Sequence, residues 1–337
     1  MPRPGAGAGA DLSSLPGPGD SPRGLLGTLA DGARGALVLG IGGGGDVVGS
    51  LAVAREIERA GRRVELGGVA WERFAVDPHH AGPRPLGQLT AIEPIAASAA
   101  LTGAAGCTPE GTRLAEAGVA AHLGRPVALI DVNGGPAAAG AGIAALADHL
   151  DCDLVVLLDV GGDVLADGSE PGLSSPLCDA VMLAAVAHLP ERIAVAGCAF
   201  GAGCDGELTM LEVLARIAAI GREGAWLGTL SPGPAAAEEV VALAREVPTE
   251  ASLMAARCAL GATGSVPIRD GSRTVELGPV GALAFVFDAR RALGPLTPLA
   301  DLVRPAASIE QARALMEARG IRTELDYERE RLASAGE

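Results

Sequence analysis

Six short apolar segments, separated by stretches with helical periodicity, constrain the fold of this chain more than any other feature. They are mostly continuous runs of Val, Leu and Ile, as in strands buried on both faces of a parallel sheet. The segments span residues 36–41, 63–69, 127–131, 154–159, 193–199 and 224–230. The helical patterns between them lie at about 47–60, 110–123, 138–150, 176–188 and 207–220. This alternation predicts an α/β fold with a doubly wound, mostly parallel, Rossmann-like sheet.

Both ends of the chain differ from this pattern. Residues 1–30 are rich in Gly, Pro and Ser and lack the apolar run of a signal peptide, which predicts a disordered arm. Residues 31–232 are the predicted core, and residues 233–337 are a predicted C-terminal α+β extension packed on it. In the extension we expect helices at 235–246, 250–260, 308–319 and 321–333 and a small β element at 273–277 and 283–288. The sequence leaves open whether this extension is a separate cap or continues the sheet.

A run of four glycines and an aspartate, Gly42 to Asp46, lies between the first predicted strand and the first predicted helix. Glycines let the backbone approach a ligand, and the first N–H groups of a helix have no partner within it. This is where α/β proteins bind a phosphate or a ribose. Because an aspartate repels a bare phosphate, Asp46 is expected to hold a metal, a ribose hydroxyl or a proton, or to cap the helix. We assign Gly43, Gly44, Gly45 and Asp46 to the substrate site.

All 26 basic residues are Arg, so the chain contains no Lys. A Walker-type phosphate loop needs its lysine, which excludes that class of NTPase. Schiff-base chemistry is excluded for the same reason, and no pyridoxal phosphate is expected.

The formal net charge of −15 argues against nucleic acid and anionic membranes as partners. No apolar run reaches the roughly 18–20 residues of a membrane span. Six cysteines without a CxxC pair predict buried thiols in a reducing cytoplasm. We therefore expect a cytoplasmic protein with a small-molecule substrate, and an Ala- and Val-rich surface helix would allow a homo-oligomer.

Acidic residues in glycine turns follow four of the predicted strands. They are Asp46, Asp131 with Asn133 and Gly134, Asp159 with Gly162 and Asp163, and Asp205 with Glu207. The carboxyl ends of parallel strands lie on one edge of an open sheet, where ligands bind. Clustered carboxylates repel unless a cation or a proton lies between them. The simpler interpretation of each acid is a helix cap or a turn former.

Oxygen ligands suit hard cations. We expect a divalent cation, Mg²⁺ or Mn²⁺ with Ca²⁺ as a further option, held by Asp46, Asp159 and Asp163. Asp163, Asp205 and Glu207 are the candidate catalytic groups, and Gly162, Asn133 and Gly134 are expected to contact substrate.

A second block, Trp71-Glu72-Arg73, directly follows the second predicted strand, and Arg84 lies in the long, proline-rich loop after it. In dinucleotide folds an acid at the position of Glu72 binds a ribose. Trp71 is expected either to stack on a base or ring or to fill a pocket wall. Arg73 and Arg84 are candidates for an anionic group, because guanidinium pairs bidentately with phosphate or carboxylate. The glycine run departs from the G-x-G-x-x-G fingerprint, which makes a nicotinamide cofactor a weaker alternative.

Taken together, Gly42–Asp46, Trp71–Arg73 with Asp77-Pro78 and Gly82-Pro83, and Asp159–Asp163 resemble the archaeal and bacterial proteins known as domain of unknown function 1152. The resemblance covers about residues 34 to 330. It implies that the three blocks form one site in one catalytic unit, and it names no reaction.

These features favour a metal-assisted hydrolase or transferase acting at a glycosidic or phosphoester bond of a nucleoside, nucleotide or sugar phosphate. Asp205 or Glu207 would act as general base towards water or an acceptor. One alternative is an ATP-dependent ligase or kinase that uses Mg-nucleotide. Another is a non-catalytic nucleotide-binding module whose acids are caps.

Overall fold

The apolar segments form one large sheet in the computed structural model, which describes residues 33–335. The predicted arm at residues 1–30 lies outside the described residues. The strands are β1 Ala36–Gly40, β2 Val64–Val69, β3 Thr90–Ala96, β4 Ala99–Cys107, β5 Val127–Ile130, β6 Leu154–Val160, β7 Ala194–Phe200, β8 Trp226–Leu230, β9 Gly264–Ile268, β10 Arg273–Leu277 and β11 Ala284–Asp288. Nine of them form a mixed sheet in the order β3-β4-β5-β2-β1-β6-β7-β11-β8, and β9 and β10 form a separate antiparallel hairpin.

The five central strands, from β5 to β7 in the sheet order, are parallel. Val38 of β1 lies opposite Leu66 of β2 and Val156 of β6. At the two sides of this block the strands are antiparallel. The predicted α/β class is therefore confirmed, with a large sheet that is parallel at its centre and mixed overall.

Helices cover both faces of the sheet. They are α1 Asp46–Arg59, α2 Ala115–Leu123, α3 Gly135–His149, α4 Pro176–Ala184, α5 Met210–Arg222, α6 Pro234–Leu243, α7 Glu250–Ala259, α8 Ala289–Ala292, α9 Pro298–Val303, α10 Ile309–Glu317 and α11 Glu324–Ala335. Alternate side chains of β1 face opposite cores: Leu37 and Leu39 pack with α3, α4 and α5, whereas Ala36 and Val38 pack with α1, α6 and α7. Burial on both faces explains why these strands are continuously apolar.

The structure adds elements that the sequence did not predict. Strands β3 and β4 form a hairpin whose Ala-, Gly- and Thr-rich sequence carries a weak strand signal. Strand β9 and the short helices α8 and α9 were also not predicted. Strand β11, predicted as part of the C-terminal element, pairs with both β7 and β8 inside the main sheet. Across the described part of the chain, none of the helices has the length and apolar character of a membrane span.

Candidate acidic site at the carboxyl edge of the sheet

Three neighbouring strands deliver acidic side chains to one edge of the sheet. Asp46 begins α1 after β1, Asp159 lies in β6, and Asp163 opens the 3-10 turn that follows β6. Asp205 and Glu207 lie in the loop between β7 and α5. Since β1, β6 and β7 are adjacent and parallel, their carboxyl ends bring these residues together. Asp46 is partly exposed and the other four are buried.

The acids fall into two groups. Asp46 and Asp159 join Asp179, and Asp163 joins Asp205 and Glu207; within each group, one oxygen atom from each residue lies within 4.8 Å of the others. Asp179 belongs to the first turn of α4 and is not among the residues that the sequence analysis assigns to the site. The predicted metal ligands Asp46, Asp159 and Asp163 are thus divided between two adjoining groups.

Hydrogen bonds fix the carboxylates of the first group. Asp46 Oδ2 accepts from Gly42 N at 2.9 Å, and Asp159 Oδ2 accepts from Gly162 N at 2.9 Å and from Val164 N at 3.3 Å. Asp179 is 1% exposed, and its Oδ1 has no hydrogen-bond partner among the described residues. A buried oxygen left in this state costs about 1–3 kcal/mol, which a cation or a donor on a ligand would recover.

Burial raises the pKa of most of these acids. It raises the pKa of Asp46 to about 7, against the opposing effects of the Gly42 N–H and the Arg73 guanidinium. It raises the pKa of Asp205 to about 7, and the Glu207 carboxylate adds to the effect. Burial and then neighbouring carboxylates hold the pKa of Asp159, Asp163 and Asp179 well above the usual range. Without a cation, burial and mutual repulsion therefore favour the protonated forms of these acids.

Glu207 differs from its neighbours. Burial alone would raise its pKa, but the Arg269 guanidinium, the Ser175 hydroxyl, the Ser174 N–H and Arg273 hold it below the usual value. The carboxylate accepts from Ser174 N at 2.7 Å, from Ser175 N at 2.8 Å and from both serine hydroxyls. Glu207 is therefore an ionised acceptor whose oxygens are already engaged.

Part of the glycine run serves packing. Gly43 and Gly44 have φ values of +77° and +55°, which favour glycine. A Cβ on Gly45 would overlap the side chain of Thr249, which directly precedes α7. A Cβ on Gly49 would lie 2.6 Å from Val160 Cγ2. The close approach of α7 and β6 to α1 accounts for the last two glycines.

Helix α11 holds the block after β2 in place. The buried Trp71 donates from Nε1 to Glu328 Oε2 at 3.0 Å, and the Arg73 guanidinium lies 4.7 Å from the centre of the Trp71 ring. Arg73 also donates to Gly42 O and forms an ion pair of 3.4 Å with Glu324. Glu324 accepts from the N–H groups of residues 177 and 178 in α4, the helix that carries Asp179.

The remaining predicted site residues make their hydrogen bonds elsewhere. Arg84 is buried between Asp77, at 2.8 Å, and Glu110, at 2.7 Å. Glu72 accepts from Ala115 N at 2.7 Å, and burial raises its pKa to about 7. Asn133 donates to Asp131 and to a backbone carbonyl, and Gly134 precedes α3. Sequence reasoning missed Asp179, Arg269, Arg273, Glu324 and Glu328. The Pro176 start of α4 was a local signal for Asp179, whereas the others lie too far along the chain from their partners.

Comparison with known proteins gives one result. The family described as "Protein of unknown function (DUF1152)" matches residues 37–332, which includes both acidic groups, the Trp71 block and most of α11. No curated protein and no solved structure matches the chain. The resemblance expected from the three sequence blocks is confirmed, and the chain belongs to the DUF1152 family.

Proposed function

We propose that the protein is a metal-assisted hydrolase or transferase acting at a glycosidic or phosphoester bond of a nucleoside, nucleotide or sugar phosphate. The observation that carries this proposal is the buried Asp179 oxygen, which has no hydrogen-bond partner within residues 33–335 and is grouped with Asp46 and Asp159. Three carboxylates at this spacing, one of them unsatisfied, are the oxygen donors that a hard divalent cation prefers.

The strand order supports a ligand at this place. In the parallel block the order β5-β2-β1-β6-β7 reverses between β1 and β6. We infer that the core is Rossmann-like and doubly wound, and such folds bind ligands outside the carboxyl ends of the strands at the reversal. Asp46 follows β1 and Asp159 lies near the end of β6, on the two sides of this position.

The acids then divide between cation binding and proton transfer. Mg²⁺ or Mn²⁺ would lower the pKa of a bound water or polarise an ester oxygen. Asp46, Asp159 and Asp179 would hold it and would release protons on binding, because their carboxyls have raised pKa values. Asp205, with a pKa of about 7, can both accept and donate a proton at neutral pH. Asp163 adjoins both groups and would either take part in proton transfer or complete the set of ligands.

The state of the cysteines bears on the cellular compartment in which the protein acts. All six cysteines are free, and five of them are buried. We infer a reducing compartment, the cytoplasm, with a small-molecule substrate.

The test combines metal binding with turnover. A panel of nucleosides, nucleotides and sugar phosphates is assayed with Mg²⁺, Mn²⁺, Ca²⁺ or EDTA, first by thermal shift and then by product analysis. A ligand at about 100 times its Kd stabilises the protein by roughly 2.7 kcal/mol, which a thermal shift detects. We expect one substrate class to need the cation.

Asp159→Asn should reduce that turnover by about 100-fold or more, while the protein remains folded. Asp148→Asn is the matched control, because Asp148 is an exposed aspartate of α3 paired with Arg192. Unchanged turnover in the Asp159 variant would overturn the proposal.

One observation favours the alternative of a non-catalytic binding module. Asp46 and Asp159 both accept backbone hydrogen bonds from their own turns, as structural caps do. Under that alternative, ligand binding persists in EDTA and in the Asp159 variant, and no product forms.

A further inference from the structure

The β9–β10 hairpin brings two arginines to the second acidic group. Arg269 and Arg273 lie at its turn, where Arg269 has a φ of +52°. The hairpin packs on the loop that carries Asp205 and Glu207: a Cβ on Gly206 would lie 3.3 Å from Val275 Cγ1 and 3.5 Å from Arg273 Cδ. Its position is therefore fixed relative to the acids.

Both guanidinium groups point to one carboxylate. Arg269 Nη2 lies 3.2 Å from Glu207 Oε1, and Arg273 Nη1 lies 3.6 Å from the same oxygen. Arg273 Nη2 donates to Ser174 Oγ at 2.7 Å and to Gly172 O at 3.1 Å. Arg273 Nη1 is buried without a hydrogen-bond partner in the described part of the chain. Because each guanidinium has five N–H donors, this pair retains unused donors.

The local charge also favours an anion. Within this acidic group, Glu207 is the carboxylate that forms ion pairs with the two arginines in the described part of the chain. Two arginine charges therefore share the one carboxylate of Glu207. The hydroxyls of Ser174 and Ser175 adjoin the two arginines just before α4, where both contact Glu207 Oε1.

We propose that Arg269 and Arg273, with the hydroxyls of Ser174 and Ser175, bind a phosphoryl group beside Asp163 and Asp205. The assignment of this group to the substrate rests on the proposed function, and it narrows the substrate class to phosphorylated compounds. Anion binding is thereby assigned to Arg269 and Arg273 and not to Arg84. The guanidinium of Arg84 is already paired with Asp77 and Glu110.

The test uses inorganic phosphate as the probe and the full chain in EDTA, so that neither the cation nor turnover enters the measurement. Isothermal titration gives the Kd at low salt, where surface charge is least screened. We expect Arg273→Gln and Arg269→Gln each to weaken phosphate binding by about tenfold or more, as loss of a bidentate contact does. Arg192→Gln, an exposed arginine paired with Asp148, should bind phosphate like the unaltered protein.

Glu207→Gln provides a second, opposite readout. It removes the negative charge that competes for both arginines, so phosphate should bind more tightly than to the unaltered protein. A residue that only holds the loop would not produce tighter binding, and this variant decides the matter if the arginine variants fail to fold. Phosphate binding that is absent in the unaltered protein, or equal in Arg273→Gln, would overturn the assignment. The proposed cation site is tested separately, by the Asp159→Asn variant.

Discussion

Among the acids of the two groups, Asp179 combines full burial with the poorest hydrogen bonding in the described structure. Its carboxyl lies against Asp46 and Asp159, yet Oδ1 has no donor among the described residues. In the absence of a cation, burial and then Asp163 and Asp46 keep the pKa of this carboxyl well above its usual range. We therefore expect Asp179 to lower the stability of the cation-free protein and to favour cation binding.

Asp179→Asn tests that separation. Asn is nearly isosteric but carries no charge, so the free energy of unfolding in EDTA at about pH 8 should be unchanged or larger. The affinity for Mn²⁺ should fall by about tenfold or more, since a carboxylate ligand is lost. Urea denaturation measures the first quantity and titration calorimetry the second. An Mn²⁺ affinity equal to that of the unaltered protein would contradict the assignment of Asp179 as a ligand.

Sequence reasoning reached part of the site at this scale. Asp46, Asp159 and Asp163 were found because each follows a strand within a glycine turn, and parallel strands end on one edge. Arg269 could not be found this way. Its partner Glu207 is 62 residues earlier in the chain, and their contact depends on how the β9–β10 hairpin packs on the β7–α5 loop.

At the scale of elements, the packing of α7 on α1 determines what the glycine run must be. Thr249 occupies the space where a side chain at residue 45 would lie, and Ser252 Oγ donates to Gly45 O at 3.0 Å. The glycine run must therefore accommodate helix α7 as well as any ligand. Local sequence shows glycine but gives no indication of which neighbour requires it.

Gly45→Ala should destabilise the protein by about 1–3 kcal/mol, because the added methyl forces α7 away from α1. The double variant with Thr249→Gly should recover most of that loss, measured by urea denaturation. Gly87→Ala is the control, since a Cβ there meets no atom within 4 Å. Full stability of the single Gly45 variant would show that packing does not explain this glycine.

Predictability also differs among elements. The central strands are continuous Val, Leu and Ile runs, and the structure places them within a few residues of their predicted ends. The sequence did not predict the hairpin of β3 and β4, because the hairpin lies at the edge of the sheet. Its outer strand, Thr90–Ala96, is largely exposed and contains Pro94. Edge strands need little apolar patterning, so periodicity does not reveal them.

For the whole molecule, the clustered acids couple stability to pH. The carboxyls of Asp46 and Asp205 have pKa values raised to about 7, so they bind protons more tightly in the folded state than in the unfolded state. Their contribution to stability is complete below about pH 4 and is lost as the pH rises through about 7.

The temperature at the midpoint of thermal unfolding in EDTA should therefore decrease by a few degrees or more as the pH rises from about 5 to about 8. Saturating Mn²⁺ should reduce this slope, because the cation replaces the protons. Scanning calorimetry at matched ionic strength measures both, with Asp148→Asn as the control that keeps the slope. A flat profile in EDTA would mean that the acids are ionised without a cation.

The position of β11 has a consequence for the order in which the chain folds. The segments β7, α5 and β8 form an ordinary strand–helix–strand sequence, which would normally pair β8 directly with β7. Instead β11, made later in the chain, lies between them and is antiparallel to both. From this order, β7 would keep an open edge during synthesis until residues 284–288 emerge, unless β8 paired with it first and separated later. An open strand edge is a template for pairing with other chains, so this interval is when a growing molecule most needs protection from aggregation.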